Sequence, residues 1–409
     1  MRIFIGTEDI ASILTNLSVG FKELGHTVTT YVTAQNKFYA NYKYDVVRGR
    51  VLHNIFRYDN IKMPDSIKEY FVKIDNIITS QYLRYKNRKL IDTHDVFVFI
   101  WKPWLPESYL FPILKQKNKK IICLHVGSEV RHISAFGQQY QIDTSGWESR
   151  FHVDSLDPKI QKIRYHELYA DLIYSVPDQA GLYLRNYNHI RVPMTANNNI
   201  VFNIPARKIP VIIHAPTSSG IKGTDIINAT LAQLKNEGYE FEYRFIQNMP
   251  NEELVKLLTD ADILCDELFL HGPGVLSAEA MAAGCAVATR CLNVKPFQPP
   301  VCAITPENIF EKLKLLITDI DYRTSLAKAA KIFVDEFNSP KNFAEKIIND
   351  MSNENLVSDY EPCFFILDYR LPAGDSLSAK TKELTKQVIE NYGLQEEALQ
   401  YNLKKRGLI

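Results

Sequence analysis

The segment 261–290, ADILCDELFLHGPGVLSAEAMAAGCAVATR, leaves this chain few folds to choose from. Ile263, Leu264 and Cys265 are apolar without alternation, as in a parallel strand buried on both faces. Gly272, Pro273 and Gly274 follow, and glycine lets a backbone approach a ligand closely. The small residues Val275–Ala283 then read as a helix whose first amides, from Gly274 to Val275 and Leu276, face whatever lies beyond the strand. Free N–H groups and the positive dipole end make such a terminus a phosphate site. Glu279 stands about one turn inside, where its two oxygens suit a vicinal diol such as a ribose.

The same alternation of strand and helix runs through the rest of the chain. Strands are expected at 2–6, 27–33, 95–100, 120–126 and 171–176. Between the first two, Ile10, Ile13, Leu14, Leu17, Phe21 and Leu24 recur at helical spacing and end at Gly25. A second series places strands at 209–216, 240–247, 262–267, 286–289 and 302–305, with Ile226, Ile227, Thr230, Leu231 and Leu234 on one face of a helix at 224–236. Pro193 and the 205–210 stretch read as a linker. The expected fold class is α/β, with two doubly wound, Rossmann-like domains at 1–192 and 193–338 and a ligand cleft facing the carboxyl ends of their sheets. A helix at 339–352 and a C-terminal helical appendage at 353–409 complete the chain, the appendage holding an extended stretch at 363–369 and helices at 378–391 and 395–406.

At 409 residues and 46% hydrophobic content the chain is long enough for two cores. Its six cysteines form no CxxC pair and lie mostly in apolar runs, which reads as buried reduced thiols with no metal site. Residues 1–6 already read as a strand, so no secretory signal is expected, and no apolar run approaches the roughly 20 residues that span a bilayer. A cytoplasmic location follows. Residues 1–192 carry 26 Lys plus Arg against 19 Asp plus Glu, a balance of +7, while the remainder has 22 against 28, or −6. The basic runs at 115–120 and at Arg84, Lys86, Arg88 and Lys89 read as solvated helix faces or as a footprint for anionic lipid, a peripheral membrane contact. No nucleic-acid partner is expected.

The second informative segment is HAPTSSGIKGT, residues 214–224. The Thr217, Ser218 and Ser219 hydroxyls, a flexible turn and the Lys222 ammonium meet at a strand's carboxyl end, a combination that suits a diphosphate. Alone, Lys222 reads as readily as a solvated lysine at a helix start; with Glu279 and the Gly274 helix terminus in the same domain it becomes one nucleotide site. Gln247, Asn248 and Met249, after a strand of that domain, are placed to meet a base or to form an ordinary loop.

These segments resemble the retaining family 4 glycosyltransferases, which have the two-domain GT-B fold and use nucleotide sugars without an essential metal. Their donor site carries two glutamates eight residues apart, followed by Ala-Met-Ala and Gly; Glu279, Ala280, Met281, Ala282 and Gly284 match the second half, and His271 stands where the first glutamate lies. Lys222 and Gly223 match the family's Lys-Gly, with Thr217 in place of its arginine. FKELGHTV at 21–28 and RYHELYADLIYSVPDQAG at 164–181 resemble its N-terminal domain, and GSEVR at 127–131 resembles its acceptor-facing Gly-Ser-Asp-x-Arg loop. In that loop Glu129 is the carboxylate, and His125 lies one residue before the family's histidine position.

The resemblance covers about 1–351. It implies an N-terminal domain that binds the acceptor through Gly6, Thr7, Glu8, Gly127, Ser128 and Arg131, a C-terminal domain that binds the donor, and a helix at 339–352 returning toward the first. It implies a UDP- or GDP-sugar donor, a glycan, lipid-linked or protein-linked acceptor, and retention at the anomeric carbon. Lys222, the Ser218 and Ser219 hydroxyls and the Gly274–Leu276 amides would stabilise the leaving diphosphate; His271 would meet the sugar or distal phosphate, and Glu129 or His125 would orient the acceptor. A packed His125 is the competing expectation. A related inverting epimerase, a GT-B-like nucleotide- or partner-binding subunit without turnover, and a two-lobed extracellular binding protein are the alternatives, since fold alone does not choose among them.

Overall fold

The structure is a computed structural model, and it describes residues 1–35, 42–49, 51–52, 64–127, 129–131, 156–175, 182–190, 200–270, 272–291, 298–354, 356, 358 and 377–393. The described residues fall into two compact units, one drawn from Met1–Phe136, Val153–Ile190 and Ile347–Ile409, the other from Arg191–Lys346.

The first unit contains a seven-stranded parallel sheet. Its strands are β1 (Arg2–Thr7), β2 (Thr27–Val32), β3 (Val46–Val47), β4 (Val96–Ile100), β5 (Lys120–His125), β6 (Leu172–Ser175) and β7 (Asn188–His189), in the order β3-β2-β1-β4-β5-β6-β7. The order reverses between β1 and β4, the switch point at which doubly wound sheets bind ligands. Thr7 pairs with Ile100 and Ile100 with Leu124, so the ends of β1, β4 and β5 lie level. Continuous apolar strands such as VFVFI of β4 are buried throughout, as a sheet covered on both faces requires.

Helices α1 (Ile13–Glu23), α2 (Asp65–Lys86), α3 (Arg88–Thr93), α4 (Glu107–Gln116) and α5 (Leu156–Tyr169) belong to this unit. The buried Phe4, Phe97, Phe99 and Trp104 rings pack together, with ring centroids 4.8–6.2 Å apart.

The second unit holds five parallel strands, β8 (Val211–His214), β9 (Glu242–Phe245), β10 (Ile263–Cys265), β11 (Ala286–Thr289) and β12 (Cys302–Ala303), in the order β12-β11-β10-β8-β9. Its switch point lies between β8 and β10. Burial alternates by face: Ile213, Leu264 and Val287 enter one core and Ile212, Ile263 and Ala286 the other. Helices α6 (Ser219–Lys222), α7 (Thr224–Asn236), α8 (Asn251–Leu258), α9 (Val275–Ala283), α10 (Ile309–Thr318) and α11 (Ile320–Phe337) join them, and α12 (Pro340–Ser352) carries the chain out of this unit into the first.

The segment expected to be a separate appendage contributes to the first core. Helix α13 (Ala379–Tyr392) packs on α5: Leu377, Leu384 and Val388 are buried in that core, and Arg164 donates to the Thr385 hydroxyl at 3.2 Å. The cause is an amphipathic face that needs cover. The expected 363–369 and 395–406 elements lie outside the described residues, as does Val176 at the end of the fifth expected strand. Most strands are one or two residues shorter at an end than expected.

Candidate functional site

Lys222 lies one turn beyond β8, and the Asp266-Glu267 pair directly follows β10, so the second sheet's switch point brings an ammonium and two carboxylates together. Gly223 makes the crossing from α6 to α7 in the left-handed region at φ 72°, and a Cβ there would stand 2.7 Å from Leu268. Buried His214 ties the same strands. Its Nδ1–H donates to the Cys265 carbonyl at 2.8 Å, which can only accept, and burial holds the ring below its usual pKa, so the neutral Nε2 accepts from Thr224 Oγ1 at 2.9 Å.

The Lys222 ammonium is buried and already partnered. It donates to Asp266 and lies 3.2 Å from Glu267 Oε1; against the pull of burial, these two carboxylates hold its pKa above the usual lysine range. Asp266 also accepts from Ser277 Oγ at 2.6 Å. Asp266 and Glu267 were not singled out in the sequence, where they look like the polar exit of a strand.

Helix α9 opens at Gly274 with no side-chain cap, and its first turn holds no acidic residue. A Cβ on Gly274 would lie 3.6 Å from Glu267 Oε1, so the Glu267 carboxylate stands at this helix entrance and against Lys222 at once. The turn before it passes close to β11: Gly272 donates to the Arg290 carbonyl at 2.7 Å, and a Cβ on Gly272 would collide with Thr289 Oγ1. Val275 and Leu276 are half-buried in the first turn.

Glu279 faces α8. Asn251 Nδ2 donates to both of its oxygens at 3.1 Å, and burial, aided by the charge of Asp266, pushes its carboxyl up to about 7 in spite of that bond. Asn251 also escaped the sequence reading. The expected base-contact loop has exposed Gln247 and Asn248, the latter at φ 55°, while Met249 packs against the apolar core. Thr217 and Ser219 are exposed and Ser218 half-buried between the β8 end and α6. His271 lies outside the described residues.

In the first unit the expected acceptor-side residues gather at the level ends of β1, β4 and β5. Thr7 Oγ1 donates to the Lys102 carbonyl at 2.7 Å, and Lys102 Nζ pairs with Glu8 at 3.1 Å. Gly6 is buried against Phe4 and the Tyr31 carbonyl. Glu129 folds back so that one oxygen accepts from Val126 N at 2.6 Å while the other is buried near Gly127 and Trp101, with no hydrogen-bond partner among the described residues. Burial raises its pKa, opposed by Lys162. Arg131 is buried, and its carbonyl accepts from Lys159 at 2.8 Å. Ser128 lies outside the described residues.

His125 is wholly buried, stacked on His166 at 5.0 Å with Nε2 and His166 Nδ1 3.1 Å apart; His166 Nε2 lies 3.4 Å from Glu107. Burial holds both rings below their usual pKa. Its Nδ1 stands 3.8 Å from Glu129, so His125 is a packed histidine. Among the described residues no cluster of His, Cys, Asp and Glu could hold a metal ion, Cys123, Cys265, Cys285 and Cys302 form no disulfide, and no helix is long and apolar enough to cross a membrane.

The two doubly wound parallel sheets, each with candidate site residues near a switch point, have the GT-B arrangement of two Rossmann-like domains, the fold of the glycosyltransferases that the chain resembles in structure. The chain is similar to sucrose-phosphate synthase from Thermosynechococcus elongatus, with a TM-score of 0.58 and 13% identity over 85% of this chain and 98% of that one. It is similar to an α-glucosyltransferase in complex with UDP-glucose and DNA containing an abasic site, with a TM-score of 0.51 and 11% identity over 86% and 100%. It is also similar to the catalytic domain of starch synthase IV from Arabidopsis thaliana bound to ADP and acarbose, with a TM-score of 0.50 and 10% identity over 86% and 99%. No protein-family profile and no curated protein matches the chain. The likeness is one of fold.

Proposed function

We propose that the protein is a glycosyltransferase that moves a sugar from a nucleoside diphosphate sugar to a hydroxyl of a glycan, lipid-linked or protein-linked acceptor, with retention at the anomeric carbon. One observation carries this: at the β8/β10 switch point a buried ammonium, an uncapped helix entrance and a carboxylate with a raised pKa converge within one unit. Glu279, oriented by Asn251, suits the ribose diol. Lys222 and the first amides of α9 suit the diphosphate, whose charge grows as the glycosidic bond breaks, so they stabilise the leaving group without a metal. The similar structures that hold UDP-glucose or ADP support a nucleotide donor.

On the acceptor side, Glu129 is the group to accept a hydrogen bond from an incoming hydroxyl, since one of its oxygens has no hydrogen-bond partner among the described residues. Calorimetry with UDP, GDP, ADP and uridine tests the donor half: a nucleoside diphosphate should bind at least tenfold tighter than its nucleoside. Equal affinities would remove the diphosphate site.

The pairing of Lys222 with two carboxylates favours a second reading, a nucleotide-binding subunit without turnover, because the phosphate must compete with Asp266 and Glu267. Slow hydrolysis of a sugar nucleotide without acceptor separates the two. A transferase shows it, and a binding subunit does not.

A further inference from the structure

Four side chains of the first unit form a chain that the proposed transfer leaves unexplained. Glu107 of α4 and His166 of α5 meet at 3.4 Å, His166 Nδ1 and His125 Nε2 meet at 3.1 Å, and His125 Nδ1 faces Glu129 Oε1 across 3.8 Å. Burial keeps both rings neutral, and the nearby Lys162 opposes a further positive charge on either. A neutral imidazole has one N–H and one lone pair, so each link dictates the next. Two arrangements satisfy the inner links. In the first, an ionised Glu107 accepts from His166 Nε2–H, His166 Nδ1 accepts from His125 Nε2–H, and His125 Nδ1 is left as a bare lone pair opposite Glu129. In the second every N–H is reversed, and the bare lone pair of His166 Nε2 opposes Glu107. Either way one carboxyl must carry a proton, or two acceptors face each other in the interior.

Burial decides which end takes it. The Glu107 side chain is 17% exposed, and against the pull of burial His166 holds its carboxyl below the usual range. The Glu129 side chain is 0% exposed, and burial raises its carboxyl, opposed by Lys162 and Arg131. The other titratable neighbours bring no charge: Tyr183, with its ring centroid 5.6 Å from His125, and Cys123 are wholly buried and kept protonated by that burial. His125 Nδ1 has no hydrogen-bond partner among the described residues, as befits a lone pair aimed at an oxygen. The first arrangement therefore holds, with its proton at the dry end.

We propose that Glu107, acting through His166, fixes His125 as its Nε2–H tautomer and so holds a proton on Glu129 Oε1. Glu107 and His166 are then positioning residues. The consequence for transfer rests on the reading of Glu129 given above: it meets the acceptor through its carbonyl oxygen Oε2, orienting the hydroxyl without being the base that takes its proton. Imidazole ¹⁵N–¹H correlation spectra of the full chain, with infrared difference spectra against Glu129→Gln, test the proton arrangement without substrate, so the outcome is independent of whether the protein transfers a sugar. His125 and His166, assigned with His125→Gln and His166→Phe, should both show a bare Nδ1 and a protonated Nε2, and Glu129 a protonated-carboxyl band. Glu107→Gln keeps the side chain's shape but can donate to His166 Nε2, so the whole chain can reverse. His125 should then move to its Nδ1–H tautomer, and the Glu129 band should titrate about one pH unit lower. In a His166→Phe background the same substitution should move that midpoint by only a small fraction as much, because the chain is cut. If His166→Phe does not fold, the tautomer change in Glu107→Gln decides by itself. A protonated His125 Nδ1 in the wild type, tautomers that Glu107→Gln leaves unchanged, or a midpoint shift as large with His166→Phe as without it would each overturn the proposal.

Discussion

Lys222 meets any phosphate with two carboxylates already on it, and the consequences can be worked out residue by residue. Glu267 shares the helix entrance with Lys222, so it opposes an incoming diphosphate, whereas Asp266 is 1% exposed and bonded to Ser277. Glu267→Gln should therefore tighten nucleoside diphosphate binding several-fold and leave nucleoside binding unchanged, as calorimetry would report; unchanged diphosphate affinity would separate Glu267 from the anion site. Lys222→Ala should do the reverse and also destabilise the fold by about 3–5 kcal/mol, because it leaves a buried carboxylate unpaired. Glu279 adds a pH dependence. Its carboxyl keeps its proton up to about 7 when folded but releases it near 4.5 when unfolded, so the folded state binds more protons between those values. The stability it contributes is full below about 4.5 and is lost as pH rises through 7. Urea midpoints should fall across that window in the wild type, and Glu279→Gln should flatten the change while weakening nucleotide binding by about 1.5–3 kcal/mol.

At the scale of elements, the turn between α6 and α7 sets the position of Lys222. Gly223→Ala forces a Cβ into the left-handed region and against Leu268, so it should cost more than about 1 kcal/mol and lower diphosphate affinity together. A thermal melt beside a nucleotide titration checks both; a loss of stability without loss of affinity would mean that the turn does not position the lysine. Helices α7 and α9 were legible in the sequence to their end residues, because apolar spacing marks the first and a run of small residues between Gly274 and Gly284 marks the second. Helix α2 was not, because its outward face is apolar and so shows no contrast between a core stripe and a polar one. The loops were equally opaque. Asn251 reads as a helix start and Asp266 as a strand exit until the fold sets one beside Glu279 and the other beside Lys222.

For the whole molecule, two units with separate cores should unfold in separable steps. Leu384, on α13, is 6% exposed in the first core, so Leu384→Ala should lower that unit's transition by about 2–5 kcal/mol and leave the transition that Gly223→Ala lowers untouched. Scanning calorimetry of both variants checks this, and a single transition shifted equally by both would show one cooperative block instead.

The sequence by itself determined that the chain alternates strand and helix in two series, since the periods of apolar residues are a local property that each element carries in its own residues. It also pointed to Lys222, Glu279 and the Gly274 helix entrance as candidates for one site, because each follows a strand of the same series and strand ends in a parallel sheet lie on one edge. Only the tertiary structure decided that α13 completes the first core, that His125 is packed on His166, and which carboxylates meet Lys222. Those facts depend on which elements become neighbours, which burial of shared apolar surface settles and spacing along one segment does not record.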